Sequence, residues 1–341
     1  MRKKLLILFL LTNCCIINSY AQDFTFSQFY EQPLLRNPAL AGLFNGDIKV
    51  SMAYRDQWGS ITVPFRTTSL SIEHKIPLGS HDDILTIGTQ MSMDGAGDIR
   101  LKRTQILPAI NFHKSLNEER NTYLSLAFMG GPVSSQFDMT QLKMGDQFVG
   151  GSYSASNSSS QPITNSSYSY WDLSTGLCFS TEFENKIRLY VAGGLSHFNK
   201  PTIHSLTTTT ASFLAPKLSL NLGVNAPIGD RGHMISFVDY YSQSGNHQLL
   251  GGLLLGLDLT QYDNEESAAI YVGSFLRWGD ALVPVVKMDF NHMSIGISYD
   301  VNISKLNVVS NWRGGLELTA TYQGFLKIRN STLDRVRCVR F

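Results

Sequence analysis

The side chains in this sequence that could do chemistry are scattered, not grouped. Its 8 histidines fall at His74, His81, His113, His197, His204, His233, His247 and His292. None forms the His-Glu-x-x-His pair that holds zinc, and there is no Gly-x-Ser-x-Gly elbow for a nucleophile and no glycine loop for phosphate. Asp94-Gly-Ala-Gly-Asp98 sets two carboxylates beside glycines, but it lacks the further spaced ligands of a calcium loop and reads as a tight hairpin turn. No catalytic residue, cofactor or metal site is expected. What remains is charge, at Lys49, Arg55, Glu73, Lys75, Arg188, Lys217, Lys287, Asp289 and Glu317, each on the polar side of an alternating stretch. A charge buried without a partner is costly, so these groups must either line water or pair across an interior.

The elements that would position them have the period of strands. Ile48, Val50, Met52 and Tyr54 alternate with Lys49, Ser51, Ala53 and Arg55, and Leu218, Leu220, Leu222 and Val224 alternate with Lys217, Ser219, Asn221 and Gly223. Near the end, Leu316, Leu318 and Ala320 alternate with Glu317, Thr319 and Thr321. Charged residues make up 16% of the chain, against roughly 25% in ordinary soluble domains. After the first residues, no apolar run approaches the roughly 18 residues of a membrane helix. Low charge, alternation and abundant Ser, Thr, Gly and aromatics fit strands with one face to lipid and the other to a polar lumen. About fourteen such strands fit between Gly46 and Leu326, with short connections after even strands and the two longest gaps, 134–167 and 199–211, after odd ones. The expected fold is all-β: a transmembrane antiparallel β-barrel of about 14 strands over 46–328, with a short, partly helical N-terminal plug. By the same parity, Trp58, Trp171, Trp278 and Trp312 should share the outer rim.

The plug is the stretch 22–45. Its apolar residues, Phe26, Phe29, Tyr30, Leu34, Leu35, Leu40 and Leu43, follow a spacing closer to helical than alternating, and Pro33 and Pro38 break it into short pieces. It should pack into or across the periplasmic mouth, with Glu31 and Arg36 pairing inward charges such as Lys49 or Glu73. Before it, Arg2, Lys3 and Lys4, the apolar run Leu5 to Leu11 and the small residues Ser19 and Ala21 read as a signal peptide, 1–21. Cys14 and Cys15 admit a lipoprotein signal, but larger residues precede them where small ones are needed. A basic tail, 329–341, carries Arg335, Arg337 and Arg340, and is expected on the periplasmic side with Cys338 unbonded to Cys178.

Phe26-Ser-Gln-Phe-Tyr30, Asn37-Pro-Ala-Leu-Ala-Gly42, Tyr54-Arg-Asp-Gln-Trp58, Arg277-Trp-Gly-Asp-Ala-Leu-Val-Pro284, Ile295-Gly-Ile-Ser-Tyr-Asp-Val-Asn302 and the ending Cys338-Val-Arg-Phe341 stand in an order that resembles the PorP/SprF family. Val339 departs from the Pro expected there. The resemblance implies an outer-membrane component of the type IX secretion and gliding machinery of Bacteroidetes. It implies a scaffold that delivers or anchors a secreted adhesin or other cargo, with periplasmic secretion subunits and outer-membrane lipid as further partners. Candidate plug and partner contacts are Phe26, Phe29, Tyr30, Arg36, Asn37, Pro38, Leu40, Arg335, Arg337 and Phe341. The net charge of +1 offers no nucleic-acid surface. The alternative is a channel for a small solute, resembling fatty-acid transporters or porins, because inward charges suit a wet lumen as well as a filled one.

Overall fold

The computed structural model describes residues 23–326 apart from 60–62, 80–81, 155, 158, 161–164, 205–210, 260–266 and 306. Fourteen strands close into one antiparallel barrel. They are β1 (Ile48–Gln57), β2 (Phe65–Leu78), β3 (Asp83–Ala96), β4 (Leu101–Asn117), β5 (Thr122–Gln136), β6 (Ser167–Glu182) and β7 (Arg188–Ser196), followed by β8 (Lys217–Ile228), β9 (Gly232–Gln243), β10 (Asn246–Asp258), β11 (Ala268–Arg277), β12 (Ala281–Phe290), β13 (Met293–Asn302) and β14 (Arg313–Gly324). Each strand pairs with its neighbours in sequence, and β1 closes on β14 from Ile48 opposite Gly324 to Gln57 opposite Gly315. Closure leaves no edge, so every strand backbone finds its partners within the sheet, as hydrocarbon requires. None of the described helices is long and apolar enough to cross a membrane; this chain crosses with strands.

Alternation sorts the wall inside out relative to a soluble protein. Met52, Ile87, Phe128, Leu177, Leu255 and Ile295 are exposed on the outer face, while Ser51, Thr86, Asn111, Ser125, Ser219 and Asp239 are fully buried on the inner one. The connections sort by end. Turns such as 118–121, 184–186 and 229–231 join strands at one end, and the connections 137–166 and 197–216 lie at the other. Outer-membrane barrels keep short turns on the periplasmic side and long loops outside, which orients this one. The connection 137–166 carries a small hairpin, Phe148–Val149 with Ser152–Tyr153. The turn expected at Asp94 to Asp98 falls slightly later: Asp94 to Ala96 still belong to β3, and the chain reverses over Gly97 to Arg100, at the long-loop end, before β4. Trp58 and Trp278 directly follow β1 and β11, Trp171 lies near the start of β6 and Trp312 precedes β14, so all four stand at the long-loop rim.

The barrel is not hollow. Residues 23–47 run inside it as three short helical pieces, Phe29–Glu31, Pro33–Arg36 and Pro38–Leu40, separated at the prolines. The segment goes beyond the periplasmic mouth assigned from sequence. Asp23 bonds Arg103, His197 and Lys217, which stand near the outer ends of β4, β7 and β8. Gly42 donates its N–H to Glu73 near the inner end of β2, so the segment spans the lumen from the long-loop end to the short-turn end before β1 begins.

Candidate functional site: a lumen filled by the N-terminal segment

Every level of the lumen grips the segment through a polar side chain. At the long-loop end, the Asp23 carboxylate receives Lys217 Nζ at 2.9 Å, Arg103 Nη1 at 3.1 Å and His197 Nε2 at 2.7 Å, while His197 Nδ1 meets Asp172 at 2.7 Å. With a carboxylate at each ring nitrogen, the imidazole is best satisfied doubly protonated. Burial opposes that charge, but Asp23 and the hydrogen bonds to Asp172 and Asp23 outweigh it and push His197 up to about 9. Burial likewise disfavours ionised Asp23; Lys217, His197 and Arg103 overcome it and hold the carboxyl well below its usual range.

Below this, Asp300 receives Arg55 Nη2 at 2.7 Å, Arg277 Nη2 at 2.6 Å and the Ser27 hydroxyl at 2.5 Å. The Glu317 carboxylate accepts the backbone N–H groups of Ser27 and Gln28 at 2.7 and 2.6 Å, and Arg55 also donates to the Thr25 carbonyl. At mid-lumen, Arg36 donates Nε and Nη2 to the two oxygens of Asp239 at 2.7 and 2.6 Å, a two-point charge-assisted pair. Its plane lies against the rings of Phe29 and Phe237, and Nη2 also donates to Tyr190 Oη at 2.7 Å. Lower still, Lys287 pairs Glu31 at 2.9 Å, Asn111 donates to the Ala39 and Ala41 carbonyls, and Lys75 donates to the Phe44 carbonyl at 2.6 Å. Glu31 and Arg36 therefore find Lys287 and Asp239, and not the ion-pair partners Lys49 and Glu73 suggested by sequence.

Apolar packing supplies the rest. Phe29 and Tyr30 meet Phe237 and Phe275 with ring centroids 5.1–6.2 Å apart. Leu40 joins the same cluster with Leu254, Val283 and Val285, while Leu34 packs with Leu107, Ala109 and Val133 on another side. Each such side chain contributes about 1.5–3 kcal/mol when fully buried. Asn37 caps the last helical piece by accepting the Ala39 N–H at 2.9 Å, and it presses so close to β6 and β7 that a Cβ on Gly176 would stand 2.0 Å from its Oδ1 and one on Gly194 2.9 Å from its Cγ.

Phe26, Phe29, Tyr30, Arg36, Asn37, Pro38 and Leu40 are thus all buried in the lumen. Arg335, Arg337 and Phe341, with Cys338 and the basic tail 329–341, lie outside the described residues. Cys178 is a buried free thiol on the inner face of β6. Inner-face contributors not singled out from sequence include Asp239, Arg277, Arg103, Asp172, Phe237 and Phe275. A signal for the apolar ones was present, because strands such as Leu253-Leu254-Leu255 carry apolar residues on both faces, as a strand must when it is covered on both. Among the described residues, no group of three His, Cys, Asp or Glu side chains could hold a metal ion.

A family model described as "Type IX secretion system membrane protein PorP/SprF" matches residues 18–322. No curated relative matches the chain. Solved structures similar to it include the translocator domain of the autotransporter NalP from Neisseria meningitidis, at 12% identity and TM-score 0.42 over 83% of this chain and 90% of that one. The Pseudomonas putida toluene transporter TodX is similar at 9% identity and TM-score 0.45, over 89% and 95% of the two chains. The CymD monoaromatic hydrocarbon channel is similar at 12% identity and TM-score 0.43, over 87% and 94%.

Proposed function

The chain belongs to the PorP/SprF family of type IX secretion system membrane proteins, and from that premise we propose that it is a closed outer-membrane scaffold through which a secreted adhesin or other cargo is delivered to, or anchored at, the cell surface. The protein is an outer-membrane barrel. Its family is one of secretion-system membrane proteins. The observation that carries the scaffold reading is the filled lumen. Among the described residues, cavities of about 100, 30 and 20 Å³ lie beside the segment, with room for a few water molecules and too small for a solute path. A lumen most of whose charges are already paired leaves the outer loops and the periplasmic face as places for a protein partner. Capture of the intact protein from native outer membrane tests this reading. A large surface protein or secretion subunits should accompany it, and recovery of the barrel alone under mild solubilisation would contradict it.

A further inference from the structure

On the lipid side of the wall, one register row crosses β1 to β4 near their long-loop ends: Asp56 stands opposite Arg66, Arg66 opposite Gly95 and Gly95 opposite Lys102. Directly opposite residues share a face. Two residues further into each strand, Tyr54, Thr68, Met93 and Thr104 line an outward groove of about 750 Å³, so the row above them faces outward as well. A cation on the lipid face is tolerated near the interface and not at mid-membrane, which puts this row among the headgroups. Arg66 is exposed and gives Nε to Asp56 at 3.1 Å, while Lys102 makes no ion pair among the described residues. Between the two cations the wall is bare, since a Cβ on Gly95 would meet nothing nearer than the Arg66 carbonyl oxygen at 3.7 Å. They stand roughly 10 Å apart, two strand spacings, and long side chains can converge above the glycine.

We propose that this face binds a phosphorylated, multiply acylated glycolipid of the outer leaflet, with its phosphate between Arg66 and Lys102 and its acyl chains in the groove below. The guanidinium groups not used on Asp56 suit phosphate oxygens, and the ammonium adds a point charge. The groove fits the chains. Short side chains at Thr68, Thr104 and Ala320 recess it, and Met52, Met91 and Met93 line it with flexible thioethers that adapt to an apolar occupant. It reaches from Ile295 on β13 to Ile106 on β4, six strands or roughly 24 Å at the usual spacing, which is wider than the two chains of a glycerophospholipid need. This site lies outside the barrel and does not rest on the scaffold reading.

The test titrates the full-length protein in mild detergent with three probes: lipid A carrying its phosphates, the same lipid A dephosphorylated, and phosphatidylglycerol. Bound lipid is counted by native mass spectrometry, and heat-modifiable gel mobility shows that each variant is folded. Phosphorylated lipid A should bind about tenfold or more tightly than either other probe. Arg66→Gln combined with Lys102→Gln should abolish that preference, and Gly95→Glu, which sets a carboxylate between two intact cations, should do the same. Lys114→Gln, near the short-turn end of β4, should leave it unchanged. A preference undiminished in either of the first two folded variants, phosphatidylglycerol bound as tightly as lipid A, or no lipid A bound to the wild-type protein would overturn the assignment.

Discussion

Arg36 shows what a charge needs inside this barrel. It is 4% exposed and survives there because Asp239 meets it at two points and two rings cover its faces. Removing one partner of such a pair leaves a buried charge uncompensated, at about 3–5 kcal/mol. Asp239→Ala should therefore lower the urea midpoint for loss of heat-modifiable mobility far more than a substitution at the exposed Asp56–Arg66 pair, worth about 0–1 kcal/mol. A smaller atom makes a sharper test. Gly176→Ala drives a methyl into Asn37 and should destabilise by about 1–3 kcal/mol, whereas Gly193→Ala, whose nearest neighbour is 3.8 Å away, should cost only what a strand residue exchange costs. Equal effects would remove Asn37 from that position. Titration supplies a third. His197 is raised, so its contribution is complete below its ordinary 6.5 and disappears as pH rises through about 9; Asp23 is lowered, so its contribution is present above 3.8 and disappears as pH falls through its depressed value. A spin label at residue 24 should be most immobile between those ordinary values and loosen towards and beyond pH 9, and His197→Gln should flatten the alkaline limb. A flat wild-type profile across that limb would contradict the clasp. At this scale, sequence disclosed which side chains face inward but not which pairs they make. Arg36 and Asp239 are 203 residues apart, and their meeting depends on how strands shear on closure and on how far the segment rises.

The strands were legible because lipid and lumen impose opposite preferences at successive residues, and a period of two survives in every strand that has one polar neighbour. It weakens in β10 and β12, where Leu254, Val283 and Val285 face the segment and Leu253, Leu282 and Val286 face lipid. The segment itself was legible as something other than strand. Its path was not, because nothing in its apolar spacing tells whether it stops at the periplasmic mouth or continues upward; the Asp23 contacts decide that. The path makes a prediction at the scale of elements: the start of the segment stands at the cell-surface end. A cysteine at position 24 should react with a membrane-impermeant maleimide added to intact cells more readily than one at Glu119 in a short periplasmic turn. The reverse order would invert the segment or the barrel. Indole should obey the same geometry, with the four tryptophans quenched by lipids labelled near the headgroup more than by lipids labelled near the chain end.

For the whole molecule, the two demands of the sequence have one solution. A wall that is apolar outside must be polar inside, and an interior carrying Arg55, Glu73, Lys217, Asp239, Lys287, Asp300 and Glu317 must be wet or paired. An apolar, proline-broken segment at the start of the chain must be covered by something other than lipid or a strand ladder. Placing it in the lumen meets both, with its backbone amides and few charges answering the wall's polar groups and its rings filling the sector between β9 and β12. Closure follows from that arrangement, and it is the property in which the proposed scaffold differs from a channel. The direct measurement is single-channel conductance of the purified full-length protein in planar bilayers, beside a variant lacking residues 23–44 whose barrel is verified by heat-modifiable mobility. The intact protein should show no steady current and the variant should conduct; large steady currents through the intact protein would contradict the filled lumen on which this account rests.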